Sequence, residues 1–211
     1  MKKVTEQDFI DAAEILQVEV AVIKTVYDVE SNGNGFVSDK EGNLVPKILF
    51  EGHKFWEQLK QRGINPNNYQ KANYDILYPE WTKKYYKGGI AEHTRLDRAI
   101  KLSNDSKLYP MIREAALASA SWGLFQIMGF NYKACGFESV QKFVTAMYKD
   151  EGEQLKAFIN FCLNTKNSNK VTLAELLRNK KWADFASSYN GKGYKANKYD
   201  VKLETAYNKY K

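Results

Sequence analysis

Apolar residues recur at helical spacing along most of this 211-residue chain, and the pattern first breaks after the second helix. Val140, Phe143, Val144 and Met147 stand at i, i+3, i+4 and i+7, and Leu155, Phe158, Ile159 and Cys162 repeat it. Phe9, Ala12, Ala13 and Leu16 follow a capping-type start at Thr5 and Asp8, while Ile23, Val26 and Tyr27 mark a second helix over residues 19–29. Helical spacing returns over 52–62 with Phe55, Trp56 and Leu59, then at Leu96, Ala99 and Ile100, and again after Pro110, which suits a first helical position. Asp150 with Glu153 and Thr172 with Glu175 supply later starts. Trp182, Phe185, Ala186 and Tyr189 precede a last helix carrying Tyr199, Leu203, Ala206 and Tyr210. Stripes of this kind are buried by packing helix on helix.

The break begins at residues 31–35, where asparagine and glycine tolerate positive φ and force a turn. Two short extended runs follow, Gly35-Phe-Val and residues 44–50, around a polar turn at 39–43. They predict a small β-hairpin after the second helix, with Pro46 placing its second run at an edge. Residues 63–90 read as irregular and tyrosine-rich. With no internal repeat and no linker, residues 1–211 are expected to form one mainly α domain of the α+β kind, with no separate binding module.

Composition narrows the function classes. No apolar stretch approaches the roughly 20 residues needed to cross a bilayer, and the opening residues lack the continuous apolar run of a secretory leader. The expectation is a protein made in a cytoplasm, without stable membrane insertion. Thirty-two Lys and Arg against 25 Asp and Glu give +7, which favours a polyanionic partner. The lysines are scattered, and neither zinc-finger spacing nor an RNA-binding aromatic signature is present, so nucleic acid is not the expected partner. Cys135 and Cys162 sit in apolar settings and read as buried free thiols. With His53 and His93 they make no recognised metal spacing, and Glu92, His93 and Asp97 read as a solvated helix face. No metal and no cofactor are expected.

Glu30 falls where an apolar helix meets the flexible turn. There a carboxyl can face a cleft while its flank packs against apolar side chains, which raises its pKa as a general acid near neutral pH requires. Gln126 stands alone in the apolar run from Ser119 to Met128 and must meet backbone or a ligand. Tyr189, Asn190 and Gly191 follow an amphipathic helix and could enter the same cleft.

Together, Glu30-Ser31, Gly123-Leu-Phe-Gln-Ile127 and Tyr189-Asn-Gly191 resemble, in order, the three motifs of the goose-type lysozyme and lytic transglycosylase superfamily. The stretches Pro46-Lys-Ile-Leu-Phe-Glu-Gly-His53, 118–132, Ala134-Cys-Gly-Phe137 and Tyr199-Asp200 sharpen this to a resemblance to phage-type N-acetylmuramidases, the endolysins, over nearly the whole chain. That resemblance implies a lysozyme-like fold. It also implies cleavage of the β-1,4 bond between N-acetylmuramic acid and N-acetylglucosamine in peptidoglycan, by a monomer that waits in the host cytoplasm until released to the wall. Glu30 is then the proton donor, with Tyr189 orienting its carboxyl. Gln126, Asn190 and Trp122, with Ser121 and Phe125 of the same motif, become the candidate substrate contacts. A second carboxylate could be Asp39 or, preferably, Glu51, and a mechanism with no second carboxylate stays open. The alternatives are lytic transglycosylase chemistry on the same groups, giving 1,6-anhydro products, and a non-catalytic wall-binding protein.

Overall fold

The computed structural model describes residues 3–31 and 33–211. Met1, Lys2 and Asn32, the last expected in the turn, lie outside the described residues, as does the side chain of Lys192. Helix α1 (Glu6–Leu16) starts on a complete capping box, in which Thr5 Oγ1 accepts from the Asp8 amide and the Asp8 carboxylate accepts from the Thr5 amide. Helix α2 spans Val20–Ser31 and buries Val22, Ile23 and Val26. It runs two residues past the expected end. Ser31 Oγ donates to Tyr27 O at 2.5 Å and accepts from the Gly33 amide at 2.8 Å, which closes the final turn. Glu30 therefore sits on helix, not in loop.

The hairpin is present, but the second extended run is split. Strands β1 (Phe36–Ser38) and β2 (Leu44–Pro46) pair antiparallel, with Pro46 opposite Phe36. After Lys47 the chain leaves that pair. Strand β3 (Ile48–Phe50) joins β4 (Ala120–Trp122), and β4 in turn pairs with β5 (Ile127–Met128). Residues 120–128 carry no period-2 alternation because β4 is buried on both faces, so this second sheet was not legible as strand. Its consequence is functional: it draws the 121–127 motif to the neighbourhood of the hairpin.

Helices α3 (Gly52–Gln61), α4 (Asn67–Gln70), α5 (Ala91–Ile100) and α6 (Tyr109–Ala118) follow β3, with α5 packed on β3, α6 on β4 and α3 on α6. Helices α7 (Val140–Lys149), α8 (Glu151–Asn164), α9 (Leu173–Arg178), α10 (Trp182–Tyr189) and α11 (Tyr199–Tyr210) complete the chain. One buried apolar cluster runs from Ala12 to Leu203 through all of these layers, and Cys135 and Cys162 are free, buried thiols within it. Among the described residues no helix is long and apolar enough to cross a membrane.

The solvated-face reading of α5 fails at Glu92. That carboxylate is fully buried and accepts from the Phe50, Lys87 and Gly88 amides and from Arg95 Nη1 at 2.7 Å. Its spacing to Leu96 and Ala99 puts it on the apolar stripe, and the charge is tolerated there because four donors replace its water.

Candidate active site

Helix α2 delivers Glu30, half-buried, in its last turn. Asn190 caps the C-terminus of α10 through its own amide, which donates to Ala186 O. Its side-chain nitrogen donates to both carboxylate oxygens of Glu30, at 3.2 Å each. Burial pushes the Glu30 pKa up to about 7, against the pull of the Asn190 hydrogen bonds and the Lys202 charge. A carboxyl that is half protonated at neutral pH can act as an acid, and as its proton leaves, Asn190 and Lys202 are in place to hold the anion.

Tyr189 is one residue away, but its hydroxyl does not reach Glu30. It donates to Phe125 O at 2.6 Å, and its ring stacks on Phe185 at 5.3 Å. The hydrogen bond expected from Tyr189 to the carboxyl is made by Asn190, while Tyr189 ties the third motif to the second.

Gln126 meets backbone. Its Nε2 donates to Gly123 O at 2.8 Å and Lys47 O at 3.2 Å, and its Oε1 accepts from Ser121 Oγ at 2.9 Å. With φ +48° it occupies left-handed backbone, a conformation costing a non-glycine residue roughly 1–2 kcal/mol, which these bonds offset. Trp122 is 1% exposed with its indole N–H given to Leu117 O, and Phe125 is 2% exposed against Phe158. Neither ring offers a face to a saccharide. The spacing that suggests a sugar platform here builds core.

Glu51 stands at the N-terminus of α3, 3.3 Å from His53 Nε2. Burial raises its pKa and lowers that of His53, whose Nδ1 is buried without a partner. The charges acting on Glu51 come from Lys54 and Glu57, whereas Lys202 acts on Glu30. Asp39 spends its carboxylate inside its own turn, accepting from the Glu41 and Asn43 amides.

Two residues that sequence reading passed over bind the motifs together. Glu151, fully buried, accepts from the Gly35 amide at 3.2 Å and pairs with Lys3 at 2.7 Å. Gln154 Oε1 accepts from the Leu124 amide at 2.7 Å, while its Nε2 donates to Met147 O. A Cβ on Gly35 would lie 2.3 Å from Gln154 Oε1, and one on Gly123, at φ +70°, would lie 2.6 Å from its Cδ. The connection continues through Lys47, whose amide donates to Gly35 O and whose carbonyl accepts from the Gly123 amide. The legible signal was position: Glu151 and Gln154 share the apolar stripe of α8 with Leu155 and Phe158. Polar groups on such a stripe need built partners.

The profile of the family described as "Muramidase: N-acetylmuramidase" matches residues 19–211 of this chain. The crystal structure of the Burkholderia AP3 phage endolysin is similar at 39% identity and a TM-score of 0.79, over 99% of this chain and 71% of that one. No curated protein matches the sequence.

Proposed function

The chain belongs to the N-acetylmuramidase family, glycoside hydrolases acting on peptidoglycan, and from this we propose that it cleaves the β-1,4 bond between N-acetylmuramic acid and N-acetylglucosamine with Glu30 as general acid. The observation carrying the reading is the Glu30 carboxyl, half-buried at the end of α2 with a pKa near 7 and gripped by Asn190. Glu30 gives its proton to the glycosidic oxygen, which leaves as the hydroxyl of the N-acetylglucosamine unit while positive charge develops on the muramic acid ring. The amide of Asn190 and the ammonium of Lys202 favour the carboxylate that results, so their stabilisation grows as the bond breaks. The oxygen of water, or of the sugar's own 6-hydroxyl, then bonds to the anomeric carbon and gives up its proton, which restores the Glu30 carboxyl.

Glu51 we assign to holding the corner between β3 and α3 through His53, not to the chemistry. The similarity to a phage endolysin supports a lytic role, with the enzyme reaching the wall once a membrane has been breached.

The test is turbidity loss of permeabilised Gram-negative cells with wild type and Glu30→Gln, followed by mass analysis of the muropeptides. Wild type should lyse and leave reducing muramic acid ends, while the variant should fold and lose about 10²–10⁴ in rate. Products carrying 1,6-anhydro ends would assign transglycosylase chemistry. Undiminished lysis by Glu30→Gln would remove Glu30 from the mechanism.

A further inference from the structure

A groove of about 550 Å³ runs between α2 and α11, lined by Asp28 and Val29 on one side and by Lys198, Lys202, Thr205 and Lys209 on the other. We infer that this groove is a subsite for the anionic peptide that peptidoglycan carries on its muramic acid units. The inference rests on the muramidase reading and extends it from the sugar backbone to the peptide branch.

The first support is register. Residues 202, 205 and 209 stand at i, i+3 and i+7 of α11, so they form one stripe and face one way, and Lys198, the N-cap, lines the groove just before the helix starts. At about 1.5 Å per residue the helical part of the stripe is about 10 Å long, close to the span of three extended peptide residues at roughly 3.3 Å each.

Charge is the second support. Three ammonium groups face one carboxylate, Asp28, across the groove. Lys3, Lys24, Lys54, Lys142, Lys149, Lys156 and Lys180 are all committed to ion pairs. Among the described residues, Lys198, Lys202 and Lys209 are in none. All three are therefore available to an external anion that enters the groove.

Placement is the third. Val29 precedes Glu30, and Lys202 is near enough to act on the Glu30 carboxyl, so the Lys198–Lys202 end of the groove adjoins the acid. Tyr210, at the far end of α11, acts instead on Tyr27, one turn back along α2. The groove therefore leads away from the reacting bond. The muramic acid whose bond is broken bears its peptide on a lactyl ether, and that branch must leave the cleft beside Glu30. Lys198, the left-handed N-cap (φ 53°) of α11, lines the groove at that end.

The experiment compares two forms of one substrate: soluble glycan strands with their peptides, and the same strands stripped by an amidase. Lys202 is left untouched because it also acts on Glu30. The double variant Lys198→Gln/Lys209→Gln should lose roughly 5- to 10-fold in kcat/KM on peptide-bearing strands, through KM, and nothing on stripped strands. Lys198→Arg/Lys209→Arg should keep the wild-type preference, and added salt should erode that preference. Equal loss on both substrates, or loss on neither, with thermal unfolding unchanged, overturns the subsite. Failure of the parent reading looks different: wild type would cleave neither strand, or Glu30→Gln would cleave both as well as wild type.

Discussion

The side-chain nitrogen of Asn190 donates to both oxygens of Glu30, at 3.2 Å each, joining the end of α2 to the end of α10 across 160 residues of sequence. The other end of that amide, Oδ1, is buried without a partner. An amide can serve both protonation states of a carboxyl: its N–H groups support the anion, and its carbonyl can accept from the acid's O–H.

Burial, opposed by this contact, sets the pH dependence. With Glu30 titrating near 7, kcat/KM should fall on the alkaline side with a midpoint near pH 7, as the donor loses its proton. Asn190→Ala removes a group that lowers the pKa, so the alkaline limb should move upward while kcat drops. Asn190→Asp, which adds a like charge, should move it further. Initial rates on soluble strands between pH 5 and 9 check this. A limb unmoved by either substitution separates Asn190 from the acid.

The same carboxyl should limit stability. Its folded pKa, about 7, lies above the ordinary 4.5, so folding favours the protonated form. The stability this contributes is complete below about pH 4.5 and is lost as pH rises through about 7, on the order of 3 kcal/mol in all. Glu30→Gln escapes that loss. Thermal unfolding should find the variant more stable than wild type at pH 8 and indistinguishable at pH 4. An equal difference at both values would mean the carboxyl is not desolvated.

Gly35→Ala should destabilise the fold by about 1–3 kcal/mol, because the new methyl meets Gln154 Oε1 at 2.3 Å and Leu124 Cγ at 2.9 Å. Shortening the obstruction with Gln154→Ser should recover part of that loss, leaving a double variant more stable than additivity allows. Denaturant unfolding of the four proteins in the cycle measures the coupling. Strict additivity would show that Gly35 and Gln154 do not press on one another.

Glu51→Ala leaves buried His53 Nε2 without its contact and should lower the unfolding temperature while leaving kcat within about tenfold of wild type, far above Glu30→Gln. The comparison needs both kinetics and calorimetry. A collapse of kcat as deep as that of Glu30→Gln, at unchanged stability, would instead make Glu51 the second catalytic carboxyl.

Much was legible in the sequence because it is local. Helical stripes, the Thr5 and Thr172 capping boxes, the glycine-rich turn and the order of the three motifs depend on neighbours within a few residues. Their chemistry is stated by the residue types themselves, and Glu30 at the end of an apolar helix is of this kind. Partnership is not. Nothing near Tyr189 reveals that its hydroxyl serves Phe125 O while Asn190 takes the carboxyl, because the choice depends on where two helices 160 residues apart come to rest. Trp122 could stand on a sugar or in a core, and only the pairing of β3 with β4 decided for the core. The sequence by itself determined which segments are helical and which groups can transfer a proton. The tertiary structure alone decided which of those groups are dry, because desolvation is set by everything packed around a side chain and not by its neighbours along the chain.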